Sequence, residues 1–334
     1  MSRTIQLAHG SGGKQSRELI ENEIIPRFGD GPLATLPDAA SLQLTTYKII
    51  YSTDSFVVQP LQFPGGNIGD LAVYGTVNDI AVSGGRPLWL SLSFILEEGL
   101  LLSTFRTVLD SIKAAAQRCE VSIVTGDTKV VGSGQCDKMF VNTSGIGEAL
   151  PGFSLNPSKI EPGDLIVVNG SIADHGMAVL TAREGLKIEN GPLSDTAPIH
   201  KLVQEVEEFG SLIKVMRDPT RGGLSSVLNE LVAGQAVGAL VKENRLPIAG
   251  NVNAVAEILG MDLLHIASEG KLVAVCCETV AQKIVERWRQ IPEGKDSIII
   301  GHVTKEAGKV VLETLMGGRR LVGLPEGELL PRIC

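Results

Sequence analysis

The strongest constraint on this chain is an alternation that runs through both halves. Short apolar runs rich in Val, Ile and Leu are followed by segments whose apolar residues recur at helical spacing. Lys48-Ile-Ile-Tyr-Ser-Thr53 predicts a strand ending at Asp54, and Asp70 predicts the N-cap of a helix carrying Leu71, Tyr74, Val77 and Ala81, stopped by Gly84-Gly85. Leu88 to Ile95 reads as a strand. Ser103 is placed to cap a helix with Phe105, Val108, Leu109 and Ile112 on one side, and Val121 to Thr125 reads as a strand running into Gly126-Asp127. Phe140 to Ile146 completes this set. Around Pro151–Pro162 the composition turns to Pro, Ser and Asn, which marks a boundary. Beyond it come a strand over Asp164–Val168, a helix near 172–183, and a helix opened by Pro198. A helix with Leu224, Val227, Leu228, Leu231 and Val232 on one stripe follows, then a strand over Leu272–Cys277, a helix over 279–290 and a strand over Ser297–Val303. The expectation is an α/β (α+β) chain with two domains of similar make-up.

With 334 residues, 43% of them apolar, each domain can bury a sizeable core. No apolar run approaches the roughly 18 residues that span a bilayer, and the first ten residues lack the apolar stretch of a secretory signal. Thirty basic against 38 acidic residues leave a net charge of −8, which argues against a nucleic-acid or anionic-membrane surface. It leaves room for an anionic ligand held by metal ions.

The five cysteines, at 119, 136, 276, 277 and 334, include no CxxC and are odd in number, so neither a disulfide framework nor a zinc site is expected. A reducing, cytoplasmic setting suits them. Cys334 differs because it is the last residue, behind a Gly- and Pro-rich stretch from Gly317 that predicts an extended, mobile arm. A terminal thiol can enter a narrow pocket. Its own carboxylate raises the thiol pKa, and Arg332 opposes that. Position alone is equally compatible with a chance cysteine in a frayed end.

Acidic residues sit beside small ones at predicted element ends: Asp54 in Ser-Thr-Asp-Ser, Asp79 in Val-Asn-Asp-Ile, Asp127 in Thr-Gly-Asp-Thr-Lys and Asp218 in Asp-Pro-Thr-Arg-Gly-Gly. Singly, each reads as a cap or turn residue. Together they suit Mg²⁺ held by carboxylates and substrate phosphates, with Lys129 in reach of a terminal phosphate and the amides at Gly222 open to an anion. His9-Gly-Ser-Gly-Gly-Lys14 is not a Walker A loop. It reads either as a plain turn or as a flap whose Gly12 and Gly13 amides and Lys14 close over phosphates. Glu269, between two apolar runs, is either a solvated turn carboxylate or a general base.

These residues together resemble the hydrogenase maturation factors of the HypE family. That family belongs to an ATP-binding superfamily with aminoimidazole ribonucleotide synthetase, selenophosphate synthetase and thiamine-monophosphate kinase. The superfamily resemblance covers most of the chain. It rests on Ser52-Thr-Asp54, on Gly69-Asp-Leu-Ala with Asn78-Asp-Ile-Ala and Gly84-Gly-Arg-Pro87, on Thr125-Gly-Asp127 and on Asp218-Pro-Thr-Arg-Gly-Gly-Leu224. The family-specific part is His9 to Lys14 together with the terminal Pro331-Arg-Ile-Cys334.

The resemblance implies an N-terminal flap and helix (1–38), an ATP-binding, dimerising domain (39–150), a C-terminal α/β domain (151–316) and a flexible tail (317–334). The first domain's sheet would form a barrel with its twin across a homodimer. ATP would lie along that sheet beneath His9, Gly12, Gly13 and Lys14. Mg²⁺ and phosphates would meet Asp54, Asp79, Asp127 and Asp218. The implied reaction dehydrates a carbamoyl group on Cys334 to a thiocyanate, with Lys129 stabilising phosphate and Glu269 removing protons. A carbamoyltransferase, HypF, would load the thiol, and an iron scaffold, HypC–HypD, would receive the cyanide. Two rival readings remain at this stage: a small-molecule kinase or synthetase of the same superfamily, and a thiol carrier that binds ATP only structurally.

Overall fold

The computed structural model describes residues 4–10, 14–29, 32–35, 39–46, 48–324 and 332–334. Gly12 and Gly13 of the expected flap, and Pro331 of the tail motif, lie outside the described residues. The first half contains α1 (Lys14–Leu19), α2 (Ile25–Phe28), β1 (Ile49–Phe56), β2 (Gln62–Phe63), β3 (Gly66–Asn67), α3 (Ile68–Val82), β4 (Gly85–Glu97), α4 (Leu102–Cys119), β5 (Ser122–Val131) and β6 (Met139–Ala149). The second contains β7 (Leu165–Val168), α5 (Asp174–Arg183), α6 (His200–Glu205), β8 (Ile213–Arg217), α7 (Gly223–Val232), β9 (Gly238–Lys242), α8 (Gly250–Leu259), β10 (Val273–Cys276), α9 (Glu278–Trp288), β11 (Ile298–Thr304), β12 (Val310–Glu313) and β13 (Arg319–Leu321).

Strands of the first half form a four-stranded sheet in the order β1-β6-β4-β5, with β4 and β5 parallel and the other pairs antiparallel. The second sheet has seven strands, β13-β12-β9-β11-β7-β10-β8. Among the described residues neither sheet closes on itself. Alternation along β4 decides how the first sheet is used. Leu90, Leu92, Phe94 and Leu96 are buried on the face that α3 and α4 cover. Ser91, Ser93 and Ile95 lie on the other face, which is open, with Ile95 43% and Tyr51 62% exposed.

Several element ends differ from the sequence reading. Asp54 lies inside β1 and Asp127 in the middle of β5, because paired neighbours extend both strands past the polar residues. Asn67, not Asp70, caps α3: its side chain accepts from the Gly69 amide while Asp70 accepts from the Asn67 amide, a reciprocal capping box. Ser103 caps nothing; α4 starts at Leu102 with no side-chain cap bond. Nor is α3 apolar on one side only. It is buried almost all round, with Leu71 and Val73 in the first core and Ala81 and Val82 in a core shared with Val167, Ile199 and Leu202 of the second half. Strands β2, β3, β8, β9, β12 and β13 and helix α8 are additional to the sequence reading. At its described end the tail is docked: Ile333 is buried in the first core.

Candidate active site

A cavity of about 160 Å³ opens where the two halves meet, lined by Thr53, Asp54, Gly75, Asp79, Asp218, Thr220, Arg221, Glu269 and Cys334. Five residues singled out from the sequence thus converge from separate elements. Asp54 comes from β1 and Asp79 from α3, whose neighbour Asn78 is anchored to the second half by bonds from its Nδ2 to the carbonyls of Ala197 and Glu269. Asp218 follows β8. The turn after it passes through Gly222 and Gly223, both at positive φ, into α7; a Cβ on Gly223 would lie 2.5 Å from the Ile266 carbonyl oxygen. Glu269 lies just before β10. Arg221, which the sequence reading did not single out, sits in the same Asp-Pro-Thr-Arg-Gly-Gly motif as Asp218 and reaches to 3.8 Å from Asp54.

Cys334 arrives by a well-made dock. Residues 332–334 run alongside residues 57–59, with the Val57 amide donating to the Cys334 carbonyl at 3.0 Å and the Gln59 amide donating to the Arg332 carbonyl at 3.3 Å. Arg183 also donates to the Arg332 carbonyl, at 2.7 Å. The Arg332 guanidinium turns away from the thiol, donating to Asp137 at 2.6 Å and to the Val57 carbonyl at 3.0 Å. Arg221, rather than Arg332, is therefore the cation that works against the raised thiol pKa.

The electrostatics are those of crowded acids. Burial pushes the Asp218 carboxyl up to about 7, and Asp79 and Asp54 add to the rise. Asp79 is raised by burial too, although Ser52 donates to it at 2.6 Å. Glu269 is only 2% exposed, so it is not a solvated turn residue. Burial, then Asp218 and Asp195, hold its carboxyl well above the ordinary range, and its Oε1 has no hydrogen-bond partner. Burial first, then Glu269, pushes the Cys334 thiol up to about 12.

Carboxylates that repel one another around a small cavity fit a divalent cation, whose charge relieves the repulsion. Among the described residues no three or more His, Cys, Asp or Glu form a ready-made metal cage.

Asp127 and Lys129 are elsewhere. Register places Asp54 in line with Thr143, Leu92 and Gly126, on the face covered by α3, whereas Asp127 pairs with Ser93 and Lys129 with Ile95 on the open face. Three strand spacings separate β1 from β5, about 14 Å. Lys129 lies 3.3 Å from Asp127, and both line a second cavity of about 190 Å³ with Gly10, Ser16 and Phe28. His9 lies in a turn against β5, its Nδ1 accepting from the Gln6 amide, and Lys14 starts α1. So the described turn Leu7–Gly10 sits against β5 with Asp127 and Lys129, not with the thiol.

The family models for AIR synthase related protein match on both sides of this junction, the N-terminal domain over residues 37–149 and the C-terminal domain over 161–313. The carbamoyl dehydratase HypE of Azotobacter vinelandii is 42% identical over 332 residues, which cover 99% of this chain and 97% of that protein. This chain belongs to the HypE family of carbamoyl dehydratases. A crystal structure of a HypE in complex with ATP superposes with a TM-score of 0.95 at 43% identity, over 99% of this chain and 100% of that one. A HypE–HypF complex matches with a TM-score of 0.81 at 42% identity, over 92% and 99%. The fold is thus the two-part fold of HypE and its AIR synthase relatives.

Proposed function

We propose that this chain, as a HypE, dehydrates a carbamoyl group carried on its own Cys334, using ATP, and so makes the cyanide ligands of the NiFe-hydrogenase iron. One observation carries the reading: the terminal thiol reaches the cavity that also holds Glu269, Asp54, Asp79 and Asp218. In balanced form, S–C(=O)–NH2 and ATP become S–C≡N, ADP and phosphate. The amide oxygen attacks the γ-phosphorus and later leaves in phosphate, and both nitrogen protons are lost. Glu269, raised in pKa and lacking a partner at Oε1, is suited to take a proton from that nitrogen.

ATP binding is supported by the ATP complex of a relative 43% identical to this chain. Asp54, Asp79 and Asp218 would hold Mg²⁺, which would supply charge neutralisation at the phosphates; Asp127, expected from the sequence to join them, lies in the other cavity. Asp127 and Lys129, on the open sheet face near the turn Leu7–Gly10, would serve phosphate with that face packed on its twin in a homodimer barrel. Residues 39–150 would then bind nucleotide and dimerise, 151–316 would supply Asp218 and Glu269, and 317–334 would move the thiol. HypF as the carbamoyl donor is supported by the HypE–HypF complex. HypC–HypD would accept the cyanide, and the cysteine usage supports a cytoplasmic setting.

The test is the intact mass of the C-terminal peptide after incubation with HypF, carbamoyl phosphate and ATP. The expected result is a gain of one carbamoyl group, then loss of one water. Cys334→Ala should abolish loading while leaving ATP binding intact. Modification of another cysteine in that variant, or turnover after removal of the last residues, would overturn the reading.

A further inference from the structure

His175 is a buried, titratable side chain that the reaction above does not use, and it touches the carrier arm. Its Nε2 lies 2.8 Å from the Ile333 carbonyl oxygen, one residue before the thiol, and its Nδ1 lies 2.8 Å from the Ser194 hydroxyl. Phe63 packs edge-on against the ring at 5.3 Å. The direction of each bond follows from donor chemistry. A carbonyl only accepts, so Nε2 carries the proton. Burial disfavours the charged ring, so Nδ1 is an acceptor and the Ser194 hydroxyl donates to it. Ser194 Oγ in turn accepts from the Thr196 amide at 3.1 Å, with the Thr196 hydroxyl 2.6 Å away. The chain of donors therefore runs from Thr196 through Ser194 and His175 to Ile333.

The residue between those two hydroxyls serves the other reactant. Asp195 Oδ1 accepts from the Glu269 amide at 3.1 Å, and its Oδ2 lies 3.2 Å from Lys271 Nζ. The strap 194–196 is itself held on both sides with no room to slide. A Cβ on Gly65, which has φ +94°, would lie 2.7 Å from the Ser194 nitrogen, and one on Gly270 would lie 2.0 Å from the Asp195 carbonyl oxygen. The Ser194 amide also donates to the Pro64 carbonyl at 2.8 Å.

We propose that His175 is a positioning residue that, through the strap Ser194–Asp195–Thr196, holds the carrier arm in register with the Glu269 base. When the arm leaves, the ring keeps a buried N–H with no acceptor, so His175 favours the docked arm. The inference rests on the carrier role of Cys334, and its test separates the two. In unmodified protein, alkylation of Cys334 by iodoacetamide, followed on the C-terminal peptide, reports docking without any carbamoyl chemistry.

His175→Phe keeps the ring volume and removes the donor. It should speed alkylation of Cys334 about tenfold, the scale of one lost buried hydrogen bond. Dehydration of the preloaded arm should slow by a similar factor, while loading by HypF does not slow. His175→Gln, which keeps an N–H donor, should restore part of both. Ser194→Ala, a milder change that keeps the ring, should shift alkylation the same way by less. Unchanged Cys334 alkylation in a folded His175→Phe, or in Ser194→Ala if the first variant does not fold, would overturn the proposal. So would equal losses of loading and dehydration. Faster alkylation with no carbamoyl ever found on Cys334 would leave the docking role standing and sink the carrier reading instead.

Discussion

At the scale of single residues, the site rests on one carboxyl whose surroundings favour its neutral form. Glu269 has no countercharge at its Oε1 and faces Asp218 and Asp54, so it gains affinity for a proton. On the proposed reading, its ionised form would take the proton as the amide nitrogen enters the cavity. Glu269→Gln keeps size and polarity and removes the basic oxygen. We expect phosphate release from the loaded chain to fall about 10²–10⁴-fold in single turnover, with loading of Cys334 retained. Equal rates for the variant and the parent would rule Glu269 out as the base. Burial is what the sequence does not disclose here. Between His265 and Lys271 the residues read as a turn, and partners far along the chain, among them Asn78 and Asp195, 191 and 74 positions from Glu269, close that turn into the interior.

Elements set where those residues point. The capping box at Asn67 fixes the start of α3, and α3 delivers Asp79 to the cavity and Asn78 to the second half. Asn67 also donates to Ser111 of α4 at 2.6 Å. Asn67→Ala should cost about 1 kcal/mol, read as a lower urea midpoint at constant m-value. A midpoint equal to the parent's would show that tertiary packing alone holds this helix start. The order of the expected elements is readable from the sequence because apolar spacing sets it. Their ends are less so. Asp54 and Asp127 look like terminal turn residues, yet ladder bonds from β6 and β4 carry β1 and β5 through them. Strand β9 is a run of five residues, Gly238–Lys242, and its parallel partner β12 begins at Val310, so pairing rather than local pattern defines both. The acidic set splits for the same reason. Spacing along the chain carries no information about the sheet face, and pleating sends Asp54 to one side and Asp127 to the other.

For the whole molecule, the junction of the two halves is both core and site. His200 at the start of α6 is buried close to Glu120 and Glu293, and burial first, with Lys201 adding, lowers its pKa to about 4. In the unfolded chain the ring titrates at 6.5. Between those values the unfolded chain takes up a proton that the folded one refuses. The associated stability is complete above about 6.5 and drains away as pH falls to about 4, on the order of 3 kcal/mol. His200→Gln should flatten that part of the acid limb, seen in urea midpoints taken across the window. An unaltered slope would mean that other groups carry it.

The docked arm has a chemical consequence of its own. A thiol held near a pKa of 12 among carboxylates is almost wholly protonated, and so a poor target for peroxides as well as a poor nucleophile. Docking thus guards this sulfur against becoming a sulfenic acid. On the proposed carrier role, acylation would be fast only once departure restores water and an ordinary acidity, which would set the order of events: out to be charged, in to be transformed.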